Sequence, residues 1–263
     1  LYFADWINGW GTKNLGRVWR LDVSEEQNDL QAVRRKTKDL MSKNYEKENE
    51  VNLFELLKYP DMRIRQKAQF ELVNRGKSQL LINAIAQKED KFMRIHGIWG
   101  LGQLIAKGED LASDLIPYLV DEDGEIIAQA AKVLGDVKFI AAGSHLIPLL
   151  SHENPRVKFY AAQALGRIKD ENAVNNIIQL LAKNNDEDVY LRHAAVLALS
   201  RIGLQTPILN LRSSPDRSLR IAAVLVLRKW SHPDLRYFLT DEDDLIVLEA
   251  ARAINDDWSV EEA

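Results

Sequence analysis

The chain has 263 residues, of which 46% are hydrophobic and 28% are charged, and it contains no cysteine. This balance excludes a disordered tail. The longest apolar runs, such as residues 222–227, are far shorter than the roughly 20 residues that cross a bilayer. Without cysteine the segment has no disulfide, thiolate metal site, thiol nucleophile or covalently attached haem. The net charge of −4 argues against a general nucleic-acid binder, because neutralising phosphates requires a basic surface.

Residues 1–23 contain two β-rich runs, residues 1–6 and 16–23, joined by the glycine-rich stretch 8–12. This pattern predicts a β-hairpin. Because an isolated hairpin is barely stable in water, we expect it to dock on other elements or to be the last part of an upstream sheet domain. Residues 24–48 are highly charged, including Arg34–Lys38, and predict a solvated helix and linker.

From residue 49 to residue 263 the sequence repeats itself. Seven small residues, used here as anchors, are separated by 27 to 34 residues, a spacing typical of solenoid repeats. The anchors are Ala68, Gly97, Ala130, Ala161, Ala195, Ala223 and Ala250. Residue chemistry agrees between all seven copies at fixed offsets from these anchors.

Each anchor has an acid or amide seven residues before it and an apolar residue four residues on either side. The acids and amides are Asp61, Asp90, Asp123, Asn154, Asp188, Asp216 and Asp243. The preceding apolar residues are Ile64, Met93, Ile126, Val157, Leu191, Leu219 and Ile246, and the following ones are Leu72, Leu101, Leu134, Leu165, Leu199, Leu227 and Ile254. Asp and Asn are preferred helix N-caps, and apolar residues at this spacing share one helical face. Each copy therefore predicts a capped, buried second helix, with a small anchor where a neighbouring helix approaches.

A shorter apolar cluster before each cap predicts the first helix of a pair. Examples are Leu53–Leu57, Leu115–Leu119, Leu146–Leu150, Ile177–Leu181 and Leu235–Leu239. Pro117 and Pro148 occupy matching places in two clusters and are expected near a helix start or at a kink. Such pairs bury their apolar faces only by stacking. The fold class is therefore all-α, an α-α superhelix (a HEAT/armadillo-like solenoid) of about seven helix pairs, with a short N-terminal β-hairpin.

Five copies carry a basic residue three positions before the anchor: Arg65, Arg94, Lys158, Arg192 and Arg220. One interpretation is a basic stripe for an anionic partner. The other is a ladder in which each base pairs with the capping Asp of the same or the adjacent repeat. We favour the ladder, because acids recur in step with the bases, and a phosphate-binding stripe would not have carboxylates beside each base.

Both ends of the sequence indicate a longer parent protein. The first residue is Leu rather than Met, and the sequence contains no signal peptide. After the last predicted helix, residues 256–258 follow with nothing that resembles a polar capping repeat. We expect a fragment or processed product of an array that continues.

Several segments resemble the HEAT domain of large bacterial membrane-bound dehydrogenase-like proteins. They are Asp61–Leu72, Arg94–Leu104 and Glu249–Asp257, while Asp5–Trp10 with Gly16–Leu21 resembles the final strands of the β-propeller that precedes the helices in those proteins. That propeller is similar to quinone-dependent glucose or sorbosone dehydrogenases, and a c-type cytochrome domain often follows the helices. The propeller and the Cys-x-x-Cys-His haem motif are missing from this sequence, so no catalytic residue is carried over. The resemblance implies a bacterial cell-envelope parent, expected in the periplasm.

Individual candidate sites favour structural roles. His96 and Trp99 share a predicted helix with Arg94, and a ligand pocket there is one interpretation. We favour a core position for Trp99, two residues from its anchor, and a satisfied, partly buried His96. The other histidines, His145, His152, His193 and His232, lack the i, i+4 spacing of a helical metal site.

The acid runs 121–123, 186–188 and 241–244 fall at turns before caps, where we expect solvated carboxylates that complement the helix dipole. Residues 241–244 lack the spacing of a calcium-binding EF-hand, and no Walker A loop, dinucleotide fingerprint or nucleophile elbow is present. We therefore predict no catalytic, cofactor-binding or metal-binding residue in this segment.

The sequence favours a non-catalytic scaffold that binds a partner protein or neighbouring domains of the same polypeptide, without inserting into a membrane or binding nucleic acid. The alternative is a HEAT-like enzyme or binder acting on nucleic acid or a chromophore, as alkylpurine glycosylases and bilin lyases do. A third possibility is a parent that is a true sugar oxidoreductase, for which this segment is a scaffold.

Overall fold

The computed structural model describes residues 2–5, 16–21, 30–256 and 260. Strand β1 (Tyr2–Asp5) pairs antiparallel with strand β2 (Arg17–Arg20), which places Phe3 opposite Trp19. The hairpin prediction is confirmed for these two strands. Its glycine-rich connection and residues 22–23 lie outside the described residues.

Helix α1 (Gln31–Ser42) and the short 3-10 helix Tyr45–Lys47 cover the start of the array. The ammonium group of Lys67 donates to a backbone carbonyl at the end of α1 at 2.7 Å. The guanidinium group of Arg75 donates to the carbonyl of Tyr45, a buried residue, at 2.9 Å. The charged segment thus contains the predicted helix, and the turn after it is fastened to the first repeat.

Seven helix pairs follow, each with a first helix, called A, and a second helix, called B. The B helices are α3 (Met62–Asn74), α5 (Lys91–Ala106), α6 (Gly124–Asp136), α8 (Pro155–Ile168), α10 (Val189–Ile202), α12 (Arg217–Lys229) and α13 (Asp244–Asp256). Four A helices are mainly α-helical: α2 (Glu50–Leu56), α4 (Ser78–Ile85), α9 (Val174–Asn184), which follows the 3-10 turn Glu171–Ala173, and α11 (Gln205–Asn210), which precedes the 3-10 turn Leu211–Ser213. The other three are the 3-10 helix Ala112–Val120, α7 (Gly143–Leu146) between the 3-10 segments Ile140–Ala142 and Ile147–Ser151, and the 3-10 helix Pro233–Thr240. The predicted fold class is confirmed.

All seven predicted N-caps are confirmed. In each repeat the side-chain oxygen of the capping residue accepts a hydrogen bond from a backbone N–H in the first turn of the B helix. Asp188 accepts two, from the N–H groups of Tyr190 at 2.8 Å and Leu191 at 3.1 Å. These bonds satisfy donors that the helix geometry leaves without an internal partner.

The anchors lie in the core, as the repeat pattern predicts. All seven are buried, and so are the apolar residues on either side of them, except that Leu219 and Ile254 are half-buried. At the one glycine anchor, a methyl group on Gly97 would lie 2.8 Å from the carbonyl oxygen of Leu81 on the paired A helix. Only glycine allows α4 and α5 to approach so closely.

A second set of small residues brings successive B helices together. Each lies five residues after an anchor and faces the residue three positions after the next anchor. A methyl group on Gly135 would lie 2.5 Å from Cα of Ala164, and one on Gly166 would lie 2.6 Å from Cα of Ala198. Helices α6, α8 and α10 are therefore in backbone contact.

Three of the seven A helices consist wholly or largely of 3-10 turns, whose tighter winding limits their length. Pro148 is near the start of the 3-10 segment Ile147–Ser151, as expected. Pro117 lies in the interior of the 3-10 helix Ala112–Val120, so the expectation of a helix start is wrong for this residue. Within the described ranges, no helix has the length and apolar character required to cross a bilayer.

Candidate functional site

Three of the five bases that precede an anchor by three positions pair with an acid, as the ladder interpretation requires, but not with a capping acid. The pairs are Arg94 with Asp121, Arg192 with Asp186 and Arg220 with Asp241. In each pair the acid lies two residues before the cap, so the capping Asp was the wrong expected partner. The base is about one helical turn beyond the cap, too deep along the B helix to meet a capping carboxylate at its end.

Two of the capping carboxylates pair instead with the residue directly after the preceding cap. Lys91 Nζ lies 2.9 Å from Oδ2 of Asp123, and Arg217 Nε donates to Oδ2 of Asp243 at 2.5 Å. For Asp243, the hydrogen bond from Arg217 holds the pKa below its usual value. Ion pairs thus link neighbouring repeats along the cap-bearing edge.

The ladder interpretation is wrong for the two remaining bases. Arg65 Nη1 donates to the backbone carbonyls of Tyr59 at 2.7 Å and Pro60 at 2.8 Å, and its guanidinium lies 4.4 Å from the ring centroid of Phe92. Lys158 has no ion pair within the part of the chain that the structure describes.

The acid runs are less solvated than expected. The first acids, Asp121 and Asp241, have side chains only 13% and 8% exposed, and each accepts the N–H of the following cap at 2.9 Å. Burial opposes ionisation of Asp121, but hydrogen bonds from Arg94 and from the cap N–H bring its pKa below the usual value. These acids fix the turn between the A and B helices.

A groove crosses the face formed by four successive B helices, α3, α5, α6 and α8, and has a volume of about 800 Å³. We call it the B-helix groove. Its wall combines amide side chains, including Gln66 and Gln103, with the aromatic rings of Phe70, Trp99 and Tyr160. Groups that hydrogen-bond and groups that offer apolar area therefore alternate along it.

A hydrogen-bonded network orients the groove side chains across three repeats. Trp99 Nε1 donates to Oε1 of Gln129 at 2.8 Å, and Gln129 Nε2 donates to Oε1 of Glu125 at 2.6 Å. Arg156 Nε donates to the other oxygen of Glu125 at 2.6 Å, and its guanidinium lies 5.1 Å from the ring centroid of Tyr160. The two rings are held in place by contacts between repeats.

His96 is buried beneath this wall, with 2% of its surface exposed. Its Nδ1 lies 2.7 Å from Oε1 of Gln69, whose amide nitrogen donates to Gln103 at 3.0 Å. Because the Gln69 oxygen accepts, the His96 proton sits on Nδ1. Burial, and then the nearby charge of Arg65, lower the pKa of His96 to about 4. The prediction of a satisfied histidine is confirmed, but His96 is fully rather than partly buried.

The core position expected for Trp99 is wrong in part. The ring packs against the core but remains half-buried, because its place two residues after the anchor turns one edge toward the groove. The glutamines of the groove were missed. They recur on the B helices of the first three repeats without a common offset, so only the assembled face reveals them.

Two other histidines accept backbone N–H groups in turns. Nδ1 of His152 accepts the N–H of Asn154 at 3.0 Å, and Nδ1 of His232 accepts the N–H of Asp234 at 3.2 Å. In the described part of the chain, no group of three or more His, Asp or Glu side chains is arranged to hold a metal ion.

Comparison with known proteins identifies a repeat family in one part of the array. A family model described as HEAT repeats matches residues 143–212. No curated protein matches the sequence.

Among solved structures, an engineered protein shares 20% identity over 81% of this chain and 97% of its own, with a TM-score of 0.44. The complex of CpcE and CpcF of phycocyanin lyase from Nostoc sp. PCC7120 shares 18% identity over 84% and 94%, with a TM-score of 0.49. A designed armadillo repeat protein in complex with the peptide (KR)4 shares 17% identity over 80% and 98%, with a TM-score of 0.44. The seven capped helix pairs in the described residues form a HEAT/armadillo-like repeat fold, and the HEAT-repeat family model matches one part of it, residues 143–212.

Proposed function

We propose that this repeat domain is a non-catalytic scaffold whose B-helix groove binds an extended protein segment, from a partner or from a neighbouring domain of the same polypeptide. The observation that carries the proposal is the groove itself, which is continuous over four B helices and lined by amides and aromatic rings. Amide side chains match the donors and acceptors of a peptide backbone, and aromatic rings supply much of the contact area in protein interfaces.

The groove offers unused hydrogen-bonding groups on a rigid frame. The side chain of Gln66 makes no hydrogen bond within the described residues, and the side chain of Gln103 uses only its Oε1, toward Gln69. Trp99 and Tyr160 are already oriented by Gln129 and Arg156. A bound segment would meet side chains that lose little freedom, which favours affinity.

The proposal extends to the parent protein to which this segment belongs. We propose that the parent is a periplasmic or otherwise envelope-located, dehydrogenase-like haem protein of bacteria, with any quinone or haem outside this segment. The sequence resemblance supports this, and so does the hairpin, in which Tyr2 is 69% exposed and Val18 is 75% exposed. Because isolated hairpins are barely stable, these apolar side chains fit a larger sheet formed with an adjoining domain. The gene sequence on both sides of the segment tests this setting.

Peptide display tests the groove. Adjacent B helices lie about 9 Å apart, so four helices span about 30 Å, which about nine extended residues cover. A library of random 12-residue peptides is selected on the wild-type chain, and the enriched peptides are then titrated against two variants. Gln103→Arg places a long cation in the groove, whereas Ile140→Arg changes an exposed residue of an A helix.

We expect peptides that bind the wild type and Ile140→Arg equally, and Gln103→Arg at least tenfold more weakly. Enriched peptides that bind all three proteins equally would contradict the proposal. The nucleic-acid alternative is checked by a gel shift on duplex DNA at low salt, where we expect no shift.

A further inference from the structure

Arg167 and Arg201 lie side by side on neighbouring B helices. Each is six residues after its anchor, on α8 and α10. These helices are in backbone contact through Gly166, the residue before Arg167, and Ala198. The two guanidinium groups therefore occupy matching places along one face of the array.

Neither guanidinium group has the hydrogen-bonded carboxylate that Arg94 and Arg220 have, although Arg167 lies beside Asp136. Nη1 of each residue is buried and has no hydrogen-bond acceptor. Nη1 of Arg167 is 3.1 Å from Oδ1 of Asp136, but in a geometry that makes no hydrogen bond. Arg201 has neither an ion pair nor a hydrogen bond within the described residues. Burial, and then the charge of Arg167, lower the pKa of Arg201 below its usual value.

Two adjacent cations that each bury an unsatisfied donor are costly unless a counter-charge binds their remaining N–H groups, which are not buried. By contrast, Arg94 and Arg220 each donate to both oxygens of an aspartate. The same bidentate acceptor is what Arg167 and Arg201 lack. A carboxylate fits two guanidinium groups well, because their planar N–H groups match its two oxygens.

The pair adjoins the B-helix groove. Asp136 lines the groove and contacts Arg167, while Lys132, also in the groove, donates to the other oxygen of Asp136 at 2.7 Å. An extended segment leaving the groove past Asp136 therefore meets Arg167 first and Arg201 next.

We propose that Arg167 and Arg201 together bind the carboxylate of an acidic residue in the extended segment that occupies the B-helix groove. This inference rests on the proposed function and adds to it the chemistry of the segment. A nucleic-acid strand is disfavoured, because Glu125 and Asp136 lie along the same face and would repel a row of phosphates.

The test uses fluorescein-labelled 12-residue peptides of Gly and Ser that carry one central Glu, or Gln in its place, titrated against the full chain by fluorescence anisotropy. We expect binding of the Glu peptide, weakened at least tenfold by Arg201→Gln, and also at least tenfold by replacing Glu with Gln in the peptide. The matched control is Lys183→Gln, which removes the same charge from an exposed position on an A helix, and should change binding less than twofold. Equal binding to the wild type and Arg201→Gln would overturn the inference.

A stability measurement separates a binding role from a structural one. Without a bound anion, Arg201→Gln removes one of two adjacent half-buried charges, so we expect its Tm to rise. Sodium sulfate stabilises folded proteins in general, so both proteins are compared in sodium sulfate and in sodium chloride at equal ionic strength. Sulfate should raise the Tm of the wild type more than that of Arg201→Gln. A variant whose Tm falls, and which sulfate stabilises as much as the wild type, would contradict the inference.

Competition identifies the source of the anion. Inorganic phosphate that displaces the Glu peptide at equal or lower concentration would assign the pair to a free oxyanion, and duplex DNA that binds more tightly through Arg201 would assign it to nucleic acid. Either result overturns the inference. If display yields groove-dependent peptides that are indifferent to Arg201→Gln, this inference fails while the proposed function stands. If no peptide depends on the groove, the proposed function fails.

Discussion

Arg220 and Asp241 form an ion pair in which each side chain is only 8% exposed. Arg220 Nε donates to Oδ2 of Asp241 at 2.9 Å, and its Nη2 donates to Oδ1 at 3.2 Å. Asp241 also accepts the N–H of Asp243, the cap of α13. One carboxylate therefore fastens the last described repeat to the one before it.

Asp241→Ala should destabilise α13 relative to the rest of the array by about 3 kcal/mol, because it leaves a buried guanidinium without its acid. Repeats at the end of a stack open locally, so hydrogen exchange of the α13 amides is the appropriate measurement. Glu242→Gln is the matched control, since Glu242 contacts the same arginine with a side chain that is 84% exposed. Such surface pairs contribute about 0–1 kcal/mol. Equal exchange in the two variants would show that the buried pair does not hold the repeat.

Gly135→Ala should destabilise the protein although alanine is the better helix former. The added methyl would lie 2.5 Å from Cα of Ala164, so α6 and α8 would have to separate. Overpacking costs about 1–3 kcal/mol, which outweighs the roughly 1 kcal/mol gained in helix propensity. Ser200→Ala, at the same repeat position of α10, should be near neutral. A urea titration in which Gly135→Ala is more stable than the wild type would rule out the backbone contact.

Because His96 is buried in its neutral form, the free energy of unfolding should fall at mildly acid pH. Its pKa in the folded protein is about 4, whereas the unfolded chain takes up the proton near its ordinary value of about 6.5. Protonation of His96 therefore favours unfolding. The stability that the neutral His96 contributes is fully present above about pH 6.5, and about 3 kcal/mol of it is lost as the pH falls toward about 4.

Urea unfolding at a series of pH values between 4.5 and 7 checks this. His96→Gln should flatten the dependence, and His193→Gln, at an exposed position, should leave it unchanged. The window lies above the range of Asp61 and Asp243, whose pKa values are lowered by hydrogen bonds from Arg63 and Arg217, so their contributions are lost only at lower pH. A wild-type stability that does not vary across the window would contradict the burial of a neutral His96.

Asp188→Ala should cost about 1 kcal/mol, because the two N–H groups it satisfies at the start of α10 lose their acceptor. Asp188→Asn keeps a capping oxygen and should cost less than half as much. Thermal unfolding of the three proteins gives the ranking. If the Ala and Asn variants are equally stable, the cap does not contribute through these hydrogen bonds.

The sequence predicts the parts of the fold that depend on local chemistry. Caps such as Asp188 and anchors such as Ala161 are predictable because they lie at fixed offsets in each repeat, and a helix places residues at those offsets on one face. The glycines that hold the B helices together also recur at a fixed offset, in Gly135 and Gly166. They could have been found by asking where backbones must touch.

The remaining features depend on how distant segments meet. Whether Arg94 pairs with a capping acid or with Asp121 depends on the path of the turn before the cap. Trp99 and Gln129 are 30 residues apart in the chain and become neighbours only when α5 and α6 stack. The groove therefore has no signature within a single repeat.

The most direct test of the central claim maps a selected peptide on the folded chain by NMR, with ¹⁵N-labelled protein and side-chain signals assigned by substitution. We predict that the peptide shifts the indole N–H signal of Trp99 and the side-chain amide signals of Gln66 and Gln103, while the backbone amide signal of Ile140 stays in place. Shifts at the A helices with the Trp99 and glutamine signals unchanged would contradict it.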